Sequence, residues 1–366
     1  RMIELKKRIA LLLGLVLVIT ALAGCSNAES SQEGEFTPGE NGVVKVYNWG
    51  DYIDESVIDM FEAETGIEVV YDMFENNEEM YPIIEAGGTV YDAVCPSDYM
   101  IAKMIENGLV QEINFDNVPN IEYIGDIHME SARAFDPENK YAVPYTYGTL
   151  GIMYNTTMVD EEVTSWDILW DEKYSQSIVM YESVRDSLAP ALKMLGYSLN
   201  TTDEAELQEA TQLLIDQKPL VYSYVMDQIK DLMINGEVAL GLAYSGEVLA
   251  IQEENPDIAF VVPDEGSNYF VDAWVIPSNA ENKENAEAWI NFLCRPDIAK
   301  MNFEYITYST PNDGAVELLD QEYLDNKDVF PEDEVIERCE VFNYLGEDMD
   351  QLYAELWKQV KAASTN

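Results

Sequence analysis

One pairing recurs along this chain: an aromatic or hydroxyl side chain close to a carboxylate, at the point where a strand-like run stops. Trp49, Asp51 and Tyr52 end "VKVYNWGDY", Ser97 and Tyr99 follow "YDAVCPS", and Ser183 and Asp186 follow "SIVMYES". Tyr244 and Glu247 close "LAYSGE", Phe270 and Asp272 sit in "NYFVDAW", and Tyr308 precedes "STPN". Arg185 is the only basic residue among them, placed to pair with a surface acid. An anion site would need Arg, Lys or a glycine-rich loop feeding a helix N-terminus. A sugar site would mix aromatics with amides and arginine. Carboxylates without basic partners are costly to bury together, so a cation must complete the site. Aromatic faces attract such a cation by about 0.5 to 2 kcal/mol each and also cover apolar CH₂ groups. Separated ammonium groups on an alkyl spacer meet both demands.

Other chemistries leave weaker traces. A Ca²⁺ ion would need six to eight oxygen ligands, and the sequence has no "DxDxDG" loop. Two of Asp51, Asp186, Glu247 and Asp272 could serve as acid and base in a secreted hydrolase. The single histidine, His128, lies in an acidic stretch beside Met129, and no nucleophile elbow is present. Apart from Cys25, the cysteines are Cys95, Cys294 and Cys339, an odd number without metal-like spacing. They read as small buried thiols, with one disulfide left open. No catalytic residue, metal or cofactor is expected. The formal charge of −50 makes nucleic acid an implausible partner and concentrates cations near the surface.

The elements that must position these groups alternate. "VVKVYNW", "IEVVYDMF" and "YDAVCPS" read as strands separated by the helices "ESVIDMFEAETG", "NEEMYPIIEAGG" and "YMIAKMIENG". This βαβαβα order marks an open α/β sheet. "YAVPYTYGTLGIMYN" (141–155) is an extended crossing into a second α/β set, and "NYFVDAWVIPSNA" is another. In the second set, "TTDEAEL" reads as a capped helix start with Asp203 and Glu206 as a loose capping box. A single helix is expected over "KENAEAWINFLCRPDIAKMNFEYI", and a helical tail closes the chain. Two α/β lobes with extended crossings form a clam, and open α/β sheets bind ligands at the carboxyl ends of their strands.

Ahead of the folded part, Lys6, Lys7 and Arg8 precede an apolar run from Ile9 to Leu22 and "LAGC" ending at Cys25. That is the pattern of a signal peptide over 1–24, too short for a spanning helix. "LAGC" resembles the lipobox of bacterial lipoproteins, which implies lipidation at Cys25. Residues 25–41, rich in Ser, Glu, Gly and Asn, should form a flexible tether. The remainder exceeds what one core usually serves, and at 47% apolar residues it can fill two. The expected lobes are 42–148 with 271–316, and 149–270 with 317–366.

From Val43 to about Trp357 the chain resembles the spermidine/putrescine-binding proteins that deliver polyamines to ABC importers. The similarity is carried by "YNWGDYI", "ETGIEVVYDMFENNEEMY", "YDAVCPSDYMIAKM", "TSWDILWDEKY", "LGYSLNTTD", "INGEVALGLAYSGE", "AENKENAEAWINFLCRPDIAK" and "ITYSTPN". The resemblance implies a two-lobed, type II periplasmic-binding-protein-like α/β fold with its ligand cleft between the domains. It also implies a polyamine ligand, putrescine or spermidine, an ABC permease as partner, an extracytoplasmic location at the cell membrane, a monomer and no catalysis. By residue, Trp49, Asp51 and Tyr52 match the family's first binding turn, Ser97 and Tyr99 its "PSxY" turn, and Asp186 an acid that holds an ammonium. Asp272 matches its central carboxylate and Tyr308 the aromatic before "TPN". Ser183 stands where some spermidine binders have aspartate, and Tyr244 and Phe270 where they have tryptophan. Glu247 lies where putrescine-type members have aspartate, and Asn343 falls roughly where spermidine binders have glutamine. The same fold could instead carry a sugar or a metal.

Overall fold

The computed structural model describes residues 37–364. The leader, Cys25 and the tether up to residue 36 lie outside the described residues. Residues 37–41, expected as tether, form a turn instead. The Glu40 N–H donates to the Thr37 carbonyl at 3.0 Å. Asn41 donates its N–H to Gly66 O at 2.8 Å and its Nδ2 to Thr65 O at 2.6 Å. The helix Glu55–Thr65 ends there with carbonyls lacking intrahelical partners, and Asn41 satisfies one of them.

The strands are β1 (Val43–Trp49), β2 (Glu68–Phe74), β3 (Ala93–Val94), β4 (Val110–Gln111), β5 (Ala142–Asn155), β6 (Ile178–Tyr181), β7 (Val221–Val225), β8 (Leu240–Tyr244), β9 (Ile258–Val261) and β10 (Tyr269–Pro277). They hydrogen-bond in the order β2-β1-β3-β10-β5-β8-β6-β7, with β4 on β10 and β9 on β5. β1 runs parallel to β2 and β3, and β6 runs parallel to β7 and β8. The two parallel sets point their carboxyl ends toward helix N-termini, the arrangement of α/β sheets. β5 joins them: its first half pairs antiparallel with β10 and its second half with β8 and β9. The expected crossings at 141–155 and in "NYFVDAWVIPSNA" are therefore strands of one continuous curled sheet.

Apolar packing divides accordingly. One core gathers side chains from Leu150 to Val262 with Phe342 to Val360, centred on Trp166, Leu188 and Leu242. The other packs around Trp274, Trp289 and Phe61 on one face of the first sheet half, and around Met80, Ile101 and Met104 on the other face. A small satellite forms where Leu319 and Val329 cover Phe303.

Local signals explain most boundaries. Asp54 caps the first helix by accepting from Ser56 N at 2.9 Å, and Gly66 ends it at φ +71°. The single helix expected over 283–306 is two, Lys283–Leu293 and Pro296–Ile306. Pro296 has no N–H to continue the ladder and holds Arg295 in an extended conformation, so the helix must restart. Asp203 does cap Glu204–Gln217, but Glu206 accepts the Thr201 hydroxyl rather than closing the box. The three cysteines are free, Cys95 and Cys294 buried and Cys339 partly so, and no disulfide joins them.

Candidate functional site

A cavity of about 290 Å³ opens between the two sheet halves, and all twelve residues singled out in the sequence line it. β1 delivers Trp49 at its last position. Asp51 then takes a left-handed conformation (φ +49°), which turns Tyr52 back beneath the sheet. Ser97, Ser183 and Tyr244 occupy the N-cap positions of the helices Asp98–Glu106, Val184–Met194 and Ser245–Glu254. Asp186 and Glu247 follow in the first turns of the latter two, where a helix N-terminus favours a carboxylate. Two expected placements differ. Phe270 and Asp272 lie inside β10 rather than at a strand end, at a break in register with β5 beside Asp272. Tyr308 follows a helix, after Thr307 in a left-handed conformation.

Four carboxylates are buried in the cavity wall: Asp98 accepts from the backbone N–H groups of Tyr99 and Val271, and the other three are held by neutral O–H donors. Asp272 accepts the Ser97 hydroxyl at 2.7 Å and the Tyr52 phenol at 2.7 Å, and that phenol also contacts the Thr146 hydroxyl at 2.6 Å. Asp186 accepts from the Tyr244 phenol at 2.9 Å and from the Ser183 hydroxyl. Glu247 accepts from the Tyr181 phenol at 2.6 Å. None of the three forms an ion pair with Lys or Arg among the described residues. Burial raises Asp272 to about 6, against the lowering by its hydroxyl donors. Burial likewise lifts Asp186 and Glu247 above the ordinary carboxylate range. Asp51, by contrast, is exposed at the rim.

Aromatic rings form the remaining wall. Tyr52 meets Tyr308 edge-on with centroids 4.9 Å apart, Phe270 meets Tyr244 at 5.3 Å, and Tyr181 stacks on Tyr244 at 4.7 Å. Trp49 leans on Phe74 at 4.6 Å. Gly246 is required here, since a Cβ would lie 2.2 Å from the Tyr308 ring. The arrangement offers fixed negative charge and π-faces in a site largely withdrawn from water, which can hold an extended organic cation.

Several lining residues were not anticipated. Tyr181 ends β6, and Glu78, which accepts the Tyr99 phenol at 2.8 Å, follows β2 in the first turn of the next helix, so strand ends could have revealed both. Met226 and Asp227 follow the end of β7, with Lys230 in the first turn of the next helix, so the same signal could have found them, whereas Phe342 carries no such signal. Arg185 pairs with no surface acid: it is buried, donates to Leu199 O, Asn343 O and Asn200 Oδ1, and lies 4.4 Å from the Phe342 ring centroid. Its guanidinium therefore fastens the C-terminal segment behind the site. Asn343 itself is exposed and outside the lining, which its neighbour Phe342 joins instead. His128 also lies outside, tilted on the Tyr147 ring at 4.7 Å. No group of three or more His, Cys, Asp or Glu able to hold a metal occurs among the described residues.

The model of the bacterial extracellular solute-binding protein family matches residues 56–331. The spermidine/putrescine-binding periplasmic protein of Salmonella typhimurium is 36% identical over 325 residues, covering 88% of this chain and 92% of its own. A spermidine/putrescine ABC transporter structure from Listeria monocytogenes is 40% identical with a TM-score of 0.85, over 88% of this chain and 99% of that one. The spermidine/putrescine ABC transporter substrate-binding protein of Streptococcus pneumoniae is 41% identical with a TM-score of 0.76, over 87% of this chain and 98% of that one.

Proposed function

The chain belongs to the bacterial extracellular solute-binding proteins, among the spermidine/putrescine-binding members, and from this we propose that it captures putrescine or spermidine outside the cytoplasm and hands it to an ABC importer. The observation that carries the reading is the trio Asp186, Glu247 and Asp272, buried beside aromatic faces with O–H donors and without an ion pair to Lys or Arg among the described residues. An ammonium supplies the missing charge, and the rings cover the methylenes between ammonium groups. The lobes 42–148 with 271–316 and 149–270 with 317–366 close on the ligand as a monomer, with β5 and β10 as the crossings. The residues lining the cavity act by binding alone.

Calorimetric titration with putrescine, spermidine, maltose and Ca²⁺ tests this, run at pH 7.5 and pH 5. Heat is expected with the polyamines only. Asp272 sits near 6 in the folded chain against about 3.9 unfolded, so between these values the folded protein holds the extra proton. This group's contribution to the stability of the empty protein is therefore greatest in acid and falls as pH rises through about 6. Affinity runs the other way, because the ammonium needs the ionised carboxylate. It should fall about tenfold per pH unit below 6, with proton release on binding near that pH. Maltose binding, or polyamine affinity that is flat from pH 5 to 7.5, would count against the assignment.

Lipidation of Cys25 would anchor the protein at the outer face of the cell membrane through the tether. The support is "LAGC" after the apolar run. Cys25→Ala is expected to lose acyl-chain labelling and to appear in the soluble fraction, and labelling that persists would refute the anchor.

A further inference from the structure

We propose that Asp98 is a positioning residue that holds Asp272 in place for the ligand, an inference that rests on the polyamine reading. Along its edge toward the first sheet half, β10 meets its neighbours step by step. Val275 pairs with Val94 of β3, the Ala273 N–H donates to the Pro96 carbonyl at 3.1 Å, and Ser97 and Asp272 form an isolated antiparallel bridge. Backbone donors on one edge of a strand recur every second residue, so the next is Val271. Here the neighbouring chain leaves the sheet, because the helix Asp98–Glu106 begins. The Asp98 side chain takes over the ladder position: Oδ2 accepts the Val271 N–H at 3.1 Å, while Oδ1 accepts the Tyr99 N–H at 2.7 Å. Asp98 and Val271 are both buried, so water is no alternative partner for either group.

The placement matters for the central carboxylate. The pinned N–H groups of Val271 and Ala273 stand on either side of Asp272, and the register with β5 breaks beside it. Asp98 itself stands between Ser97, whose hydroxyl donates to Asp272, and Tyr99. One side chain thus ties together the two segments that bring Ser97, Tyr99, Phe270 and Asp272 to the cavity. A carboxylate suits the task because it has an acceptor oxygen for each of two N–H donors, where an amide has only one. Without it the Val271 N–H is left unpaired in the interior, and nothing holds the break in register that presents Asp272 to the Ser97 and Tyr52 hydroxyls. With both oxygens engaged by the backbone, Asp98 acts on the ligand through Asp272.

Full-length parent and Asp98→Ala proteins are compared by calorimetric titration with putrescine and spermidine and by crystal structures of their empty forms. Asp98→Ala should bind both amines about tenfold to hundredfold more weakly, the scale for losing a group that orients the ligands of a bound ion. Its crystal structure should show Asp272 beyond hydrogen-bond distance of the Ser97 or the Tyr52 hydroxyl. The melting temperature should fall as well, since two buried N–H groups lose their acceptor. A purely structural role would lower the melting temperature but leave the affinity of the folded variant equal to the parent's, and that result overturns the proposal. Weakened binding with Asp272 still on both hydroxyls also overturns it, because Asp98 would then meet the ammonium itself. Asp98→Asn, which keeps the shape but one acceptor oxygen, takes the same two measurements if Asp98→Ala does not fold, with the same displacement and loss of affinity expected. Failure of the parent to bind either amine overturns the polyamine reading and this inference with it.

Discussion

Asp272→Asn should weaken polyamine binding by roughly 2 to 5 kcal/mol, a loss of about thirtyfold to several thousandfold. Asp272 is buried at the point where β10 slips register with β5, and its two oxygens are fixed by Ser97 and Tyr52 from separate segments. The carboxylate is thus already oriented before ligand arrives, and an ammonium placed there gains a charge-assisted bond at little cost in ordering. Asparagine keeps the shape but removes the charge, leaving the ammonium desolvated without a counter-ion. Folding should not suffer in step. The empty site holds a carboxylate that burial and nearby Asp186 both disfavour in its ionised form, so the neutral amide should leave the melting temperature of the apo protein equal or higher at pH 7. Titration calorimetry and thermal melts of the two proteins, with and without putrescine, read both effects. Unchanged affinity in a folded variant would mean that the cation sits elsewhere in the cleft.

Trp289→Ala should destabilise the fold by about 3 to 5 kcal/mol, the range for deleting a large buried aromatic. Trp289 lies on the helix Lys283–Leu293 with no solvent exposure, edge-on to Phe61 at 5.2 Å and to Trp274 at 6.0 Å. Its Nε1 has no hydrogen-bond partner, so the loss is one of packing alone. Trp274 belongs to β10, two residues beyond Asp272, so the cavity left behind would also loosen the strand that positions the central carboxylate. Urea unfolding of the apo protein, with parent and variant compared at equal m-value, measures the difference. A loss below about 1 kcal/mol would show that the helix is held to the sheet by other contacts.

Most of the groups that line the cavity were legible in the sequence because they belong to local events, while Phe270, Asp272 and Tyr308 lie away from strand ends. A β-rich run stops, and a hydroxyl or aromatic residue caps the next helix with an acid in its first turn, as at Ser183 and Asp186 or Tyr244 and Glu247. Strand and helix periods depend on neighbours a few residues away, so the alternation, both crossings and the cap at Asp203 could be read without coordinates. Pro296 was equally readable as a helix break and lay hidden only within an otherwise continuous apolar pattern. What the chain alone left open are relations between distant segments. Tyr52 and Asp272 are 220 positions apart, and only the pairing of β5 with β10 sets Thr146, Tyr52 and Asp272 in one hydrogen-bonded group. Phe342 enters the cavity from the C-terminal segment, which no strand end marks. Arg185 looked like a surface partner for an acid and is instead locked behind the site by carbonyls from two other segments. The identity of the groups is written locally because capping and periodicity are short-range. Which carboxylates lose their water, and which cation they then require, is decided by long-range packing, since burial is a property of the assembled cleft.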